Sequence, residues 1–73
     1  MMSNRNRDIV LREQGRTLII SERRGATLVK LMEITAGAVT QAQLAYYKAN
    51  LEGKVKQIHA DLILKYFYGI NIE

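Results

Sequence analysis

Two short apolar runs, Ile9-Val10-Leu11 and Leu18-Ile19-Ile20, stand on either side of the polar stretch Arg12-Glu13-Gln14-Gly15-Arg16-Thr17. Short β-rich runs separated by a glycine-bearing polar segment read as a β-hairpin, here over residues 8–22. Gly15 supplies the positive φ that a tight hairpin turn needs. With Gln14-Gly15 at the turn centre, Glu13 faces Arg16, Leu11 faces Leu18, Ile9 faces Ile20 and Arg7 faces Glu22. Two of these pairs are of opposite charge and two are apolar, so the register is chemically consistent. Side chains alternate across a strand. Ile9, Leu11, Leu18 and Ile20 therefore share the expected core face, and Val10, Arg12, Thr17 and Ile19 share the other. Two strands alone are not stable in water, so helices are expected to cover one face.

After the basic loop Arg23-Arg24-Gly25, the apolar spacing changes. Leu28, Leu31, Met32 and Thr35 fall on one stripe at helical spacing, which predicts a helix over residues 27–35. Thr35-Ala36-Gly37-Ala38-Val39 interrupts it. Thr40-Gln41-Ala42-Gln43 has the form of a capping box, in which a hydroxyl and an amide side chain each satisfy the other residue's backbone N–H. It opens a helix over residues 40–51 with Leu44, Tyr47 and Leu51 on one face. A third segment over residues 54–68 places Val55, Ile58, Leu62 and Tyr66 on an apolar stripe. Lys54, Gln57, Asp61 and Lys65 form its polar stripe, and Asp61 and Lys65 are an i,i+4 pair. Gly69 is a natural terminator. Gly53 either breaks one long helix or separates two. Tyr66, Phe67 and Tyr68 are consecutive, and helical neighbours stand about 100° apart, so one of the three is expected to face outward. The fold class is a small α+β domain, an N-terminal hairpin packed on two or three C-terminal helices.

Seventy-three residues make one small domain with a modest core. A hydrophobic fraction of 48% is ordinary for a folded chain and argues against wholesale disorder. With no cysteine, disulfides and thiolate metal sites are excluded. No apolar run approaches the roughly 20 residues of a membrane span, and the polar start Met-Met-Ser-Asn-Arg-Asn-Arg is not followed by a signal region. Residues 1–7 read as a flexible basic arm. The expected location is the cytoplasm, with no membrane partner.

Charge changes the picture more than composition does. All six arginines lie in the first third, at positions 5, 7, 12, 16, 23 and 24. Through Lys30 seven basic residues meet Asp8, Glu13 and Glu22; from Leu31 onward four lysines balance four acids. The net charge of +4 therefore belongs to the N-terminal part. A guanidinium recognises phosphates and carboxylates through a flat bidentate fork that lysine lacks. An acidic partner is expected, either nucleic-acid phosphate or an acidic protein surface. Val10 and Ile19, on the hairpin's outer face among these arginines, suit a protein interface better than a phosphate track. The candidate partner-binding residues are Arg5, Arg7, Arg12, Arg16, Arg23, Arg24, Val10 and Ile19.

Chemistry is sparse. His59 is the lone histidine, on a helix beside apolar neighbours, and a zinc site would need further ligands. The glycines at 15, 25, 37, 53 and 69 match no phosphate-binding loop. Ser3 and Ser21 have no nearby base, and no carboxylate pair stands out. The chain is expected to be no enzyme and to use no cofactor, metal or small-molecule substrate.

Two resemblances bear on function. Thr40-Gln41-Ala42-Gln43-Leu44-Ala45 is similar to the opening of the second helix of phage-repressor-like helix-turn-helix domains. In that family a short turn with a glycine and an apolar residue follows. Here Ala49 and Asn50 occupy those places, and from Lys54 onward only Lys54, Lys56 and Gln57 could contact DNA. The arginines lie outside this motif. It implies, as the alternative function, a DNA-binding repressor of phage or plasmid origin. In length, cysteine-free composition, basic N-terminal part and helical C-terminal part, the whole chain resembles small phage-encoded transcription regulators. Those in question are the RNA-polymerase-binding inhibitors and antiterminators of lytic Xanthomonas phages. This resemblance implies a non-enzymatic protein that binds the β and β′ subunits of the host polymerase. It would displace the sigma factor, inhibit initiation and promote antitermination. Nucleic acid stays open as a second partner through the basic N-terminal part, and a purely structural or assembly role is a further alternative.

Overall fold

The computed structural model describes residues 6–69. Three strands, β1 (Ile9–Gln14), β2 (Thr17–Arg24) and β3 (Thr27–Thr35), precede two helices, α1 (Gln41–Asn50) and α2 (Gln57–Tyr68). The strands form one antiparallel sheet in the order β1-β2-β3. The α+β class expected from the sequence is the fold observed.

The hairpin forms where the apolar runs place it, in a different register. Ile9 pairs with Glu22, Leu11 with Ile20, Glu13 with Leu18 and Gln14 with Thr17. The two-residue turn is Gly15-Arg16, with Gly15 at φ 61° in the left-handed region. Glycine takes the first turn position, where the expected register put it second. The partner strand is displaced by two residues. A displacement of two preserves the alternation, so the face assignments survive: Leu18 and Ile20 are fully buried and Ile9 nearly so.

Residues 27–35 are a strand, which corrects the expected helix. Arg23 and Arg24 end β2, and the turn is only Gly25-Ala26, with Gly25 at φ 63°. The misleading signal has a structural cause. The register shifts between Ile20, which pairs with Met32, and Ser21, which pairs with Lys30. Leu31 is the extra residue of a β-bulge. The bulge breaks the two-residue alternation and sets apolar Leu31 and Met32 side by side, which imitates a helical stripe. Beyond it the alternation is clean: Met32 and Ile34 are buried, Glu33 and Thr35 exposed. Three strands give the sheet enough apolar surface to hold its helices.

Helix α1 starts as its sequence dictates. The Thr40 hydroxyl accepts from Gln43 N–H at 3.1 Å, and the Gln43 side-chain oxygen Oε1 accepts from Thr40 N–H at 3.0 Å. Tyr47 and Leu51 are buried on its inner side. Gly53, at φ 76°, separates two helices. α2 begins three residues later than expected, so Val55 is buried from the connecting loop and lies off the helix. The buried stripe of α2 runs through Ile63 and Tyr66, while Ile58, expected on it, is 73% exposed. Asp61 accepts a 2.7 Å hydrogen bond from the Gln57 amide, in place of the expected pairing with Lys65. Gly69 ends the helix in the left-handed conformation. Of the three consecutive aromatics, Tyr68 faces outward. The Tyr47 and Phe67 rings meet edge to face at 5.5 Å and join the helices over the core.

Candidate partner-binding surface

The helices cover one face of the sheet. On the other, the register builds rows across the strands: Gln14, Thr17 and Thr35; Arg12, Ile19 and Glu33; Val10, Ser21 and Lys30; Arg23 and Leu28. Thr17 and Thr35 link their hydroxyls at 3.0 Å, and Lys30 Nζ donates to Glu33 Oε2 at 2.6 Å. Val10 and Ile19 are half-buried among longer side chains, and Leu28 is 55% exposed. Among the described residues no helix covers this face. It is an apolar strip bordered by charges, with Arg12 beside Ile19.

The arginines are near one another in sequence and dispersed in space. Arg16 occupies the β1–β2 turn, and its C=O accepts from Ala36 N–H at 2.9 Å. Arg24 ends β2 eight residues away. At about 3.3 Å per residue the two stand roughly 26 Å apart. That exceeds the Debye length of about 8 Å at physiological salt, so they do not act as one electrostatic patch. Arg12 and Arg16 are exposed and have no carboxylate within ion-pair distance among the described residues. Arg23 is exposed, 3.5 Å from equally exposed Asp8. Arg5 lies outside the described residues, as does the expected arm as far as position 5.

Arg7 is docked into the molecule, against the reading that placed it in a flexible arm. Its Nε and Nη2 donate to Glu22 Oε2 and Oε1 at 2.9 and 2.8 Å. Its Nη1 donates to the Asn50 carbonyl at 3.0 Å, and its N–H to the Lys54 carbonyl at 2.7 Å. One guanidinium thus joins the sheet to the end of α1, where the helix dipole favours a cation. The pairing with Glu22 was expected from charge; the helix contact had no sequence signal. Glu22 also accepts from Arg24 Nε at 2.8 Å. The hydrogen bonds from Arg7 and then Arg24 hold its carboxyl at a pKa of about 2, below the usual 4.5. Arg7 and Arg24 are thereby engaged, and Arg12, Arg16 and Arg23 remain available to a partner.

A second feature escaped the sequence reading. On the helix side of the sheet, beside β1, Leu11, Ile58, His59, Asp61, Leu62 and Lys65 line an open groove of about 460 Å³. Its signal was Ile58, an apolar residue whose position depends on where α2 begins. At the end of the same helix, Tyr66 donates its hydroxyl to Glu13 Oε1 at 2.7 Å. That bond, with burial, raises the tyrosine pKa. It is possible because the observed register takes Glu13 away from Arg16.

Among the described residues no three histidine or acidic side chains group to hold a metal, and no helix is long and apolar enough to cross a membrane. Comparison with known proteins gives no match: no family model, no curated protein and no solved structure is significantly similar to the chain.

Proposed function

We propose that this chain is a phage-encoded transcription regulator that works in the host bacterial cytoplasm by binding RNA polymerase, and that it performs no chemistry itself. The observation that carries the reading is the uncovered sheet face, on which Val10 and Ile19 form a small apolar centre beside the exposed Arg12 guanidinium. Apolar centres with arginine at the border are typical of protein interfaces. The choice of partner rests on the whole-chain resemblance to polymerase-binding phage regulators. In this reading the face docks on an acidic surface of the β and β′ subunits. It competes with or displaces the sigma factor, which inhibits initiation, and its continued presence on the elongating enzyme promotes antitermination.

The helix-turn-helix alternative draws less support. α1 continues through Ala49 and Asn50, where that motif would place its turn, and six residues separate α1 from α2. The motif uses a turn of about three to four residues.

The test is retention of purified bacterial core polymerase and holoenzyme by the immobilised protein, with sigma release and run-off transcription measured alongside. The expected result is retention of core enzyme, loss of sigma and reduced promoter-dependent initiation. Absence of core retention at physiological salt would overturn the proposal. Binding to random duplex DNA that falls steeply with salt would favour the repressor instead.

A further inference from the structure

We infer that the β1 edge and the groove beneath it form a self-complementary surface that joins two copies of this chain about a two-fold axis. The argument begins with the two edges of the sheet. β3 is protected: it carries the Leu31 bulge and the Lys30–Glu33 ion pair, and its Glu33 C=O accepts from the Gln43 side-chain amide at 2.7 Å. Bulges, charges and capped carbonyls are the means by which sheet edges avoid pairing. Among the described residues, β1 has no comparable cover at Leu11 and Glu13. The pair Gln14–Thr17 closes a two-residue hairpin and exchanges hydrogen bonds, and Arg23 N–H donates to Asp8 C=O at 2.9 Å, in phase with it. Even-numbered residues of β1 therefore bond to β2. Leu11 and Glu13 turn their N–H and C=O groups outward, without backbone partners among the described residues.

The side chains then select the occupant. Antiparallel β1–β1′ pairing about a two-fold perpendicular to the sheet requires residues of like parity to face each other. With Leu11 on the axis, Leu11 faces Leu11′, Ile9 faces Glu13′ and Arg12 faces Val10′. The outward-pointing groups of Leu11 and Glu13 and the Ile9 C=O fall on the bonded positions, while the Ile9 N–H stays with the Arg7 C=O at 3.0 Å. The next register, centred on Arg12, would oppose two guanidinium groups. Arg12 opposite Val10′ lays its aliphatic stem on an apolar neighbour while its charge stays in water. On the helix side, the same axis brings the two α2 helices together. Ile58, 73% exposed, and half-buried Leu62 supply an apolar strip beside Leu11. Asp61 and Lys65 border the strip with one charge of each sign. An axis that passes between the two charges sets each copy's Asp61 against the other's Lys65, and two-fold symmetry makes that contact twice, so the groove complements itself. The outcome is a continuous six-stranded sheet whose two open faces adjoin.

Sedimentation equilibrium of the intact chain from micromolar to millimolar concentration tests this, together with amide hydrogen exchange. The expected result is a concentration-dependent dimer in which the Leu11 and Glu13 amides become protected as the dimer fills. Ile58→Glu, at an exposed position that leaves the core untouched, should weaken association at least tenfold. Asp61→Lys alone should weaken it severalfold, and Asp61→Lys combined with Lys65→Asp should restore it, because the swapped pair is again complementary. A monomer throughout the range would overturn the inference and leave the β1 edge to a strand from a different protein. A dimer indifferent to Ile58→Glu, or one with unprotected Leu11 and Glu13 amides, would overturn it as well.

Discussion

At the scale of single residues, Glu22 makes a strong polar commitment. It accepts from Arg7 through both oxygens and from Arg24, and its pKa falls from 4.5 to about 2. The native state therefore prefers the carboxylate more than the unfolded chain does. Above about pH 4.5 both states are ionised and the full stabilisation is present; as pH falls toward 2 the unfolded state takes up the proton first and the stabilisation is lost. Thermal melts of the native chain should accordingly lose stability from pH 4.5 to 2. Glu22→Gln should be less stable at pH 7 and show a flatter profile across that window. Parallel profiles for the two proteins would mean that Glu22 is not the titrating group. The opposite charges of Arg7 and Glu22 are readable in the sequence. The third partner is not: the Asn50 carbonyl is a backbone atom 43 residues away, and any residue could have supplied it.

At the scale of elements, the legible parts are those set by local chemistry. The capping box depends on Thr40 and Gln43 alone, and α1 starts there. Thr40→Ala should cost about 0.5–2 kcal/mol, read by denaturant unfolding. Retained stability would mean that water or a neighbour satisfies the Gln43 N–H equally well. The core face of the hairpin was also legible, even from a register two residues out, because alternation depends only on parity. Leu18 is fully buried between Glu13 and Ile34 in the pairing. Leu18→Ala should destabilise by about 2–5 kcal/mol, with a negligible change placing the residue outside the core. β3 was illegible because a bulge is a non-local event. Leu31 is extra only relative to β2, and nothing within residues 27–35 records which partner residue it skips. The stripe of α2 was misread for a similar reason. It follows from where the helix starts, and Lys56, at the N-cap, has no side-chain cap to announce it.

At the scale of the whole molecule, folding takes a sequence cluster of arginines apart. Arg7 and Arg24 are drawn to Glu22, and Arg23 lies beside Asp8 at the same end of the sheet. Arg12 and Arg16, near the other end, have no acidic partner among the described residues. If the open face binds polymerase, the binding energy should divide along the same line. Arg12→Ala with Arg16→Ala should leave thermal stability nearly unchanged, since neither side chain is buried, and should weaken retention of core polymerase about tenfold or more. Arg23→Ala should weaken it much less, because that guanidinium shares its field with Asp8 and lies more than a Debye length from Arg16. At that separation the two effects should also add, within the few tenths of a kcal/mol usual for independent sites. Titrating core polymerase with the native chain, the double variant, the single variant and the triple variant measures all four quantities together. Equal losses from the two ends would require a partner that spans the full length of the sheet. Losses from Arg23→Ala alone would move the contact to the β2–β3 end, beside exposed Leu28, and take Val10 and Ile19 out of its centre.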